Sequence, residues 1–233
     1  MTQFFKFSTL HAALSVGVIA LGASASAQAI VYDFKFSGGA QHSLAFAFSQ
    51  LFVEVMENSS TPDNDVLFKF TNELSEPQAS IVRLYFDTGV YTSLFISMSV
   101  WETSGLVNLV PGTPVAHPFL PANFTPDYQI GLSSIYPFDN SKYGINPGEY
   151  ASLSATLDMG KSFADVIGAL NEGLSSTTGL RIGLFTYNLL GDQGRDDAAH
   201  VTHSVVAVPE VETWMMMLAG LGLMGFTVLR RKS

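Results

Sequence analysis

Between Ile30 and Val208 the apolar residues fall in short runs, many of them at period two, and the whole chain contains no cysteine. Period-two alternation is what a strand with one buried face requires. Without disulfides, such strands have to be held by packing and hydrogen bonds alone. Val31-Tyr32-Asp33-Phe34-Lys35-Phe36 reads as a first strand ended by Gly38-Gly39. From Ser43 to Met56, Leu44, Phe46 and Phe48 share one parity and Leu51, Val53 and Val55 the other, which places a bulge or turn near Ser49-Gln50. Asn58 to Asp65 is a loop, and strands follow at Val66–Phe70 and Ile81–Phe86. Asp87-Thr88-Gly89 turns the chain into Tyr91–Trp101, where Leu94, Ile96, Met98 and Val100 are expected to share the inner face.

Val110 to Pro147 breaks the pattern. Seven prolines punctuate apolar clusters there, so irregular loops and edge segments that wrap the sheets are expected, since proline cannot donate to a ladder. Tyr150 to Leu157 resumes strand character. One helix is predicted from Phe163 to Asn171, with Ser162 as its cap, Asp165 at the third position, Gly173 after its end and an apolar stripe of Phe163, Val166, Ile167 and Leu170. Gly179–Leu189 and Val201–Val208 complete the strands. Many short strands and one helix predict a mainly β fold, a β-sandwich of the jelly-roll or immunoglobulin-like kind, over residues 30–207.

The two ends read as address labels. Residues 1–29 have the form of a secretory signal peptide: Lys6, an apolar stretch from Ala12 to Ala23, then Ala27-Gln28-Ala29 as the cleavage signature, with a second cut available after Ala27. The tail, residues 208–233, has three parts. Val208-Pro209-Glu210 is followed by an uncharged run from Trp214 to Leu229 and then by Arg230-Arg231-Lys232. As a helix, 214–229 would be about 24 Å long, a short membrane span held at its ends by Trp214 and the arginines, with the basic end cytoplasmic. Gly220-Leu221-Gly222-Leu223-Met224-Gly225 fits a dinucleotide fingerprint by letter, but no βαβ unit surrounds it, and its glycines suit close helix approach instead.

Val208-Pro209-Glu210, Thr213-Trp214, the Leu218–Leu223 glycine-rich run, Gly225-Phe226 and Arg230-Arg231 resemble the PEP-CTERM sorting signal of exopolysaccharide-producing Gram-negative bacteria. Val211 stands where that family usually has a second proline. The resemblance implies export across the inner membrane, a transient anchor, and processing by an exosortase, a membrane cysteine protease. It also implies delivery to the cell surface or an extracellular, biofilm-type matrix, with exopolysaccharide as an expected partner. Val66–Asn72, Tyr85-Phe86-Asp87, Asn146–Glu149 and Leu180–Leu184 look like body domains that accompany such signals.

For the body, the residues exclude more than they assign. Thiol catalysis and cysteine metal sites are ruled out by composition. A formal net charge of −9 makes nucleic acid an improbable partner. No nucleophile elbow, zinc-protease helix or phosphate loop occurs, and no cofactor is expected. His200 and His203 are three apart, a spacing that on a strand sends them to opposite faces. Asp63-Asn64-Asp65 and the 191–197 loop offer oxygen ligands of the kind Ca²⁺ takes, without the EF-hand spacing. Trp101, Tyr128, Tyr136 and Tyr143 are candidates for stacking on sugar rings, against the commoner fate of core packing. The expectation is a non-enzymatic surface or matrix protein. A secreted hydrolase on the same scaffold and a calcium-stabilised adhesin or carbohydrate-binding protein are the rivals.

Overall fold

The alternating segments become strands. The computed structural model describes residues 29–39, 51–58, 65–73, 79–115, 117–132, 142–188 and 198–206. In chain order the strands are β1 (Ala29–Gly39), β2 (Leu51–Asn58), β3 (Asp65–Asn72), β4 (Ala79–Asp87), β5 (Phe95–Thr103), β6 (Leu109–Gly112), β7 (Tyr128–Leu132), β8 (Tyr150–Leu157), β9 (Arg181–Asn188) and β10 (Ala198–Val206). One helix, α1 (Phe163–Gly173), lies between β8 and β9. The two anticipated apolar residues of the Ser43–Met56 pattern beyond Leu51 fall inside as expected, with Val53 and Val55 fully buried. The bulge expected at Ser49-Gln50 lies outside the described residues.

The expected sandwich of two separately bonded sheets does not form. All ten strands join one sheet in the order β5-β8-β3-β2-β1-β10-β9-β4-β7-β6, every pair antiparallel. The sheet curls until its two edges approach, a nearly closed barrel. Register shifts in β1, β4 and β5 mark the bends, because a bulge adds a residue to one strand and increases its local twist. Side chains bridge the remaining seam: Tyr128 Oη on β7 donates to the Phe95 carbonyl on β5 at 2.7 Å, and the two rings meet edge-on at 6.0 Å.

The interior is filled by rings. Phe34, Phe68, Phe70, Phe86 and Phe95 come from four strands, two of them from β3, and touch in series at 5.3–6.4 Å between centroids. Val166, Ala169 and Leu170 of α1 join the same apolar cluster. The helix begins where the sequence places it. Ser162 Oγ accepts from the Asp165 amide and Asp165 returns to the Ser162 amide, a reciprocal cap that satisfies two orphan donors. It runs through Gly173, two residues past the expected end. Tyr32 Oη donates to Asn171 Oδ1 at 3.1 Å and Tyr91 Oη to Glu172 Oε2 at 2.6 Å, fastening the helix to β1 and to the turn before β5.

One expectation for β5 fails. Phe95 and Met98 face in, whereas Ile96 is 63% exposed. Phe95 pairs with Leu157 and Ser97 with Thr156, so Ile96 is an extra residue that the ladder pushes out. Trp101 is the second such residue, between Val100 and Glu102. Two bulges on a sheet edge also make that edge a poor template for a further strand.

The proline-rich stretch wraps the sheet, as expected, and contributes the edge strands β6 and β7. Residues 117–127 lie on the outer face of β4, β9 and β10, where Leu120 and Phe124 cover Val82, Tyr85, Phe185 and Val201. Gly183 permits this: a Cβ there would stand 2.9 Å from Leu120 and 3.0 Å from Phe124. The strap is tied by a buried ion pair between Arg181 on β9 and Asp87 on β4. Asp87 Oδ2 also accepts from the Thr125 amide at 3.0 Å, and Arg181 donates to the Asn123 carbonyl while its guanidinium lies 5.1 Å from the centre of the Phe124 ring. Just beyond Asp87, Gly89 turns the chain with φ of 57°, and a Cβ there would strike the Thr178 carbonyl.

Removing one member of a buried pair strands the other charge, a loss of about 3–5 kcal/mol. Arg181→Met is therefore expected to lower unfolding stability by that order in urea titrations. The double variant Asp87→Leu/Arg181→Met is expected to recover a large part of the loss. A single variant costing under about 1 kcal/mol would mean the strap is held by its apolar contacts alone.

Candidate functional site

The strap divides the outside of the sheet in two. Over β4, β9 and β10 the strap covers the outward Val82, Tyr85, Phe185, Ala199 and Val201. Over β5, β8, β3 and β2 the outward residues are mixed: Ser97, Ser99 and Glu102 are exposed, Glu54, Leu67 and Lys69 are partly exposed, and Ser152, Ser154 and Asp65 are buried beneath their neighbours. Leu153, Ala151 and Ala155 of β8 join the interior cluster, so Ser152, Ser154 and Thr156 lie on the other face. Register aligns them into rows: Ser99, Ser154 and Leu67 in one, Glu102, Ser152, Lys69 and Glu54 in the next. Ser152 and Ser154 of β8 are small and lie buried, 4% and 6% exposed, between the side chains of β3 and β5.

An aromatic cluster sits at the edge of this face. Trp101 is 55% exposed on the bulge of β5. Tyr150, at the start of β8, donates its hydroxyl to Glu102 Oε1 at 2.9 Å, and Lys69 Nζ sits 4.9 Å from the centre of its ring. The hydrogen bond to the Glu102 carboxylate, with some burial, raises the phenol's pKa above its usual 10.0. The backbone beneath is fixed: Tyr150 N donates to Ser104 Oγ at 2.7 Å and Ser104 N donates to the Tyr150 carbonyl at 3.0 Å. A half-exposed indole beside hydroxyls, carboxylates and an ammonium can stack on an apolar ring face and exchange hydrogen bonds around it.

Of the aromatics singled out in the sequence, Trp101 alone emerges as a platform. Tyr128 belongs to the seam, and Tyr143 is half-buried with Lys142 Nζ 5.0 Å from its ring centre. Tyr136 lies outside the described residues. Tyr150 was missed, since its partner Glu102 is 48 residues away and nothing local marks the pair.

The histidines diverge as their spacing requires. His200 is 1% exposed and faces inward, with Nε2 3.2 Å from Thr186 Oγ1. His203 faces outward with Nδ1 3.7 Å from Asp33 Oδ1. Asp33, His203 and Ser204 bring together the residue types of a hydrolytic triad, but the connectivity is wrong for one. Ser204 Oγ donates to Asp33 Oδ1 at 2.7 Å, so the histidine has no hold on the serine's proton. Among the described residues no group of three or more His, Asp or Glu converges as a metal set. Of the acidic loops, only Asp65 is described, accepting from Ser154 Oγ at 2.9 Å; residues 63–64 and 191–197 are not described.

Ala29, at the leader's cleavage signature, is the first residue of β1. Ala27 and the tail residues Val208, Pro209, Glu210, Trp214, Arg230 and Arg231 lie outside the described residues, as does the expected span 214–229. No described helix is long and apolar enough to cross a membrane. No protein-family model matches the chain, and neither a curated protein nor a solved structure matches it.

His200 and His117 provide a check by pH. Burial lowers both from 6.5 to about 4; His117, tilted on the Phe185 ring at 4.0 Å, is lowered further by Arg83. A group with a depressed native pKa stabilises the fold above its unfolded value, and that contribution is lost as pH falls through the native value. Melting temperature is thus expected to drop between pH 6.5 and pH 4, with His200 contributing on the order of 3 kcal/mol. In His200→Gln the acid-side slope is expected to flatten; an unchanged slope would remove His200 from the account.

Proposed function

We propose that this chain is an exported, non-enzymatic protein of the cell surface or extracellular matrix, anchored briefly in the inner membrane and released by an exosortase. The observation that carries the reading is the order of the tail: Val208-Pro209-Glu210, the uncharged run from Trp214 to Leu229, then Arg230-Arg231-Lys232. That order holds the polar motif at the outer membrane surface while the cations stay on the cytoplasmic side. The body then contributes binding. Its net negative charge and exposed Trp101 suit an exopolysaccharide better than a nucleic acid, and Asp33, His203 and Ser204 lack the connectivity of a hydrolase.

Changing Pro209-Glu210 to Ala-Ala is expected to leave membrane insertion intact and abolish trimming, so that full-length protein accumulates in the inner membrane of a host carrying an exosortase. Replacing Arg230, Arg231 and Lys232 by glutamine is expected to weaken retention. Mass spectrometry of fractionated cells reads both. Trimming and release of the Ala-Ala variant like the parent would reduce the tail to an ordinary anchor and end the sorting assignment.

A further inference from the structure

The strap over β4, β9 and β10 is fastened differently at its two ends. Its far end is tied by charge. Asp87 accepts from the Thr125 amide at 3.0 Å, Arg181, paired with Asp87, donates to the Asn123 carbonyl, and Asp127 accepts from the Thr88 amide at 2.8 Å. Its near end hangs on one imidazole. His117 lies tilted on the Phe185 ring at 4.0 Å between centroids and meets Phe119 edge-on at 5.2 Å. Its Nδ1 accepts from the Phe119 amide at 3.4 Å, and its carbonyl from the Leu120 amide at 3.0 Å. We propose that residues 117–122 are a proton-operated flap, latched to β9 by the neutral ring of His117 and hinged at Asn123–Thr125.

Three observations carry it. The first is the acceptor. An Nδ1 that takes a hydrogen bond holds no proton, so the closed strap requires the neutral imidazole, and a second proton sets donor against donor. The second is the charge around the ring. Facing the strap are Arg83 and Tyr85 of β4, Tyr187 of β9 and Lys35 of β1, which is opposite Val201. Asp33 and His203 lie against each other further along β1 and β10. Among these groups the charge that acts on His117 is Arg83, of the same sign as an imidazolium. Burial, and then Arg83, lower the ring from 6.5 to about 4.

The build of the flap is the third. Pro118 and Pro121 stiffen it, since each fixes its own φ and restricts the residue before it. Besides His117 it is held by Leu120, seated over Gly183, and by the Ser37 hydroxyl donating to the Phe119 carbonyl at 3.0 Å. Beneath it lie Val82, Phe185 and Val201, on the face opposite the interior rings. Lifting the flap therefore uncovers an apolar strip and leaves the barrel interior packed. A group whose pKa is depressed in the closed form holds it shut above 6.5 and loses that hold as pH falls toward 4. Between pH 7.5 and pH 5, with allowance for the ring's partial contact with solvent, the open fraction rises on the order of tenfold.

The chain has no cysteine, so a single one placed under the flap reports its opening. Val201→Cys lies in the covered cluster, and Ala155→Cys lies inside the barrel, where it reports unfolding. Each is made in the full-length chain in zwitterionic detergent, together with His200→Gln to remove that residue's own response to pH. Labelling by dithiodipyridine is followed at pH 7.5 and pH 5, each rate divided by that of the same chain in urea at the same pH. At pH 5 Val201→Cys is expected to label at least about tenfold faster than Ala155→Cys, as local opening requires. Its own rate is expected to rise about tenfold from pH 7.5 to pH 5. In His117→Phe, which keeps a ring and takes no proton, that rise is expected to vanish. If His117→Phe melts early at pH 7.5, His117→Gln, an acceptor that does not titrate, is expected to abolish the rise instead. Equal labelling at the two positions would mean that the whole fold opens, and a rise that survives the His117 variant would take away the latch. Either result overturns the proposal.

Discussion

The fold depends on a relay of aromatic rings across the barrel. Ten strands enclose more space than aliphatic side chains fill easily, and here Phe34, Phe70, Phe86, Phe68, Phe95 and Tyr128 cross it from β1 to the seam. Each edge-on contact adds about 0.5–1.5 kcal/mol beyond burial of the ring. The relay also fixes register, since a slip of one residue in β3 would turn Phe68 and Phe70 to solvent and bring Lys69 inside. With register fixed, the outer face is fixed too, and the serine row of β8 can lie beside Trp101 only because Leu153 and Ala155 are held inward.

Inside and outside then divide by residue type. Where a strand is apolar on both parities, as in β4 with Ile81, Leu84 and Phe86 inside and Val82 and Tyr85 outside, a second cover is needed and the proline-rich strap supplies it. Where a strand alternates with serine, as in β8, no cover is needed. The buried Asp87–Arg181 pair lies at the border, binding the strap to β4 and β9 with hydrogen bonds that reach the Asn123 carbonyl and the Thr125 amide. Such a pair contributes geometry as much as stability, since it works only with the strap in one position.

Local pattern made much of this legible. Strand β8 spans the residues its alternation marks, the Ser162–Asp165 cap starts the helix where the sequence puts it, and Gly89 turns the chain after Asp87. Ile96 was misassigned because period two assumes an uninterrupted ladder, and a bulge is decided by the partner strand, not by the residue that is extruded. Barrel closure was illegible for a similar reason. Whether strands form two sheets or one depends on which edges meet, and Tyr128 meets Phe95 across 33 residues with no local sign. At the candidate site Trp101 was visible as an aromatic of open fate. Tyr150 acquires meaning only from neighbours distant in sequence.

The strand order has one more consequence. β1 and β10, the first and last strands among the described residues, are neighbours at the centre of the sheet, with Val31 opposite Val206. The chain cannot join its two halves until its last strand has been made, and closing so long a loop is slow compared with forming local hairpins such as β2–β3. A polypeptide that emerges from its N-terminus would keep its sheet open until β10 appears, so the two halves exist before the ladder that joins them. Late closure of this kind makes β10 a timing element, coupling the emergence of the last described strand to the start of stable structure.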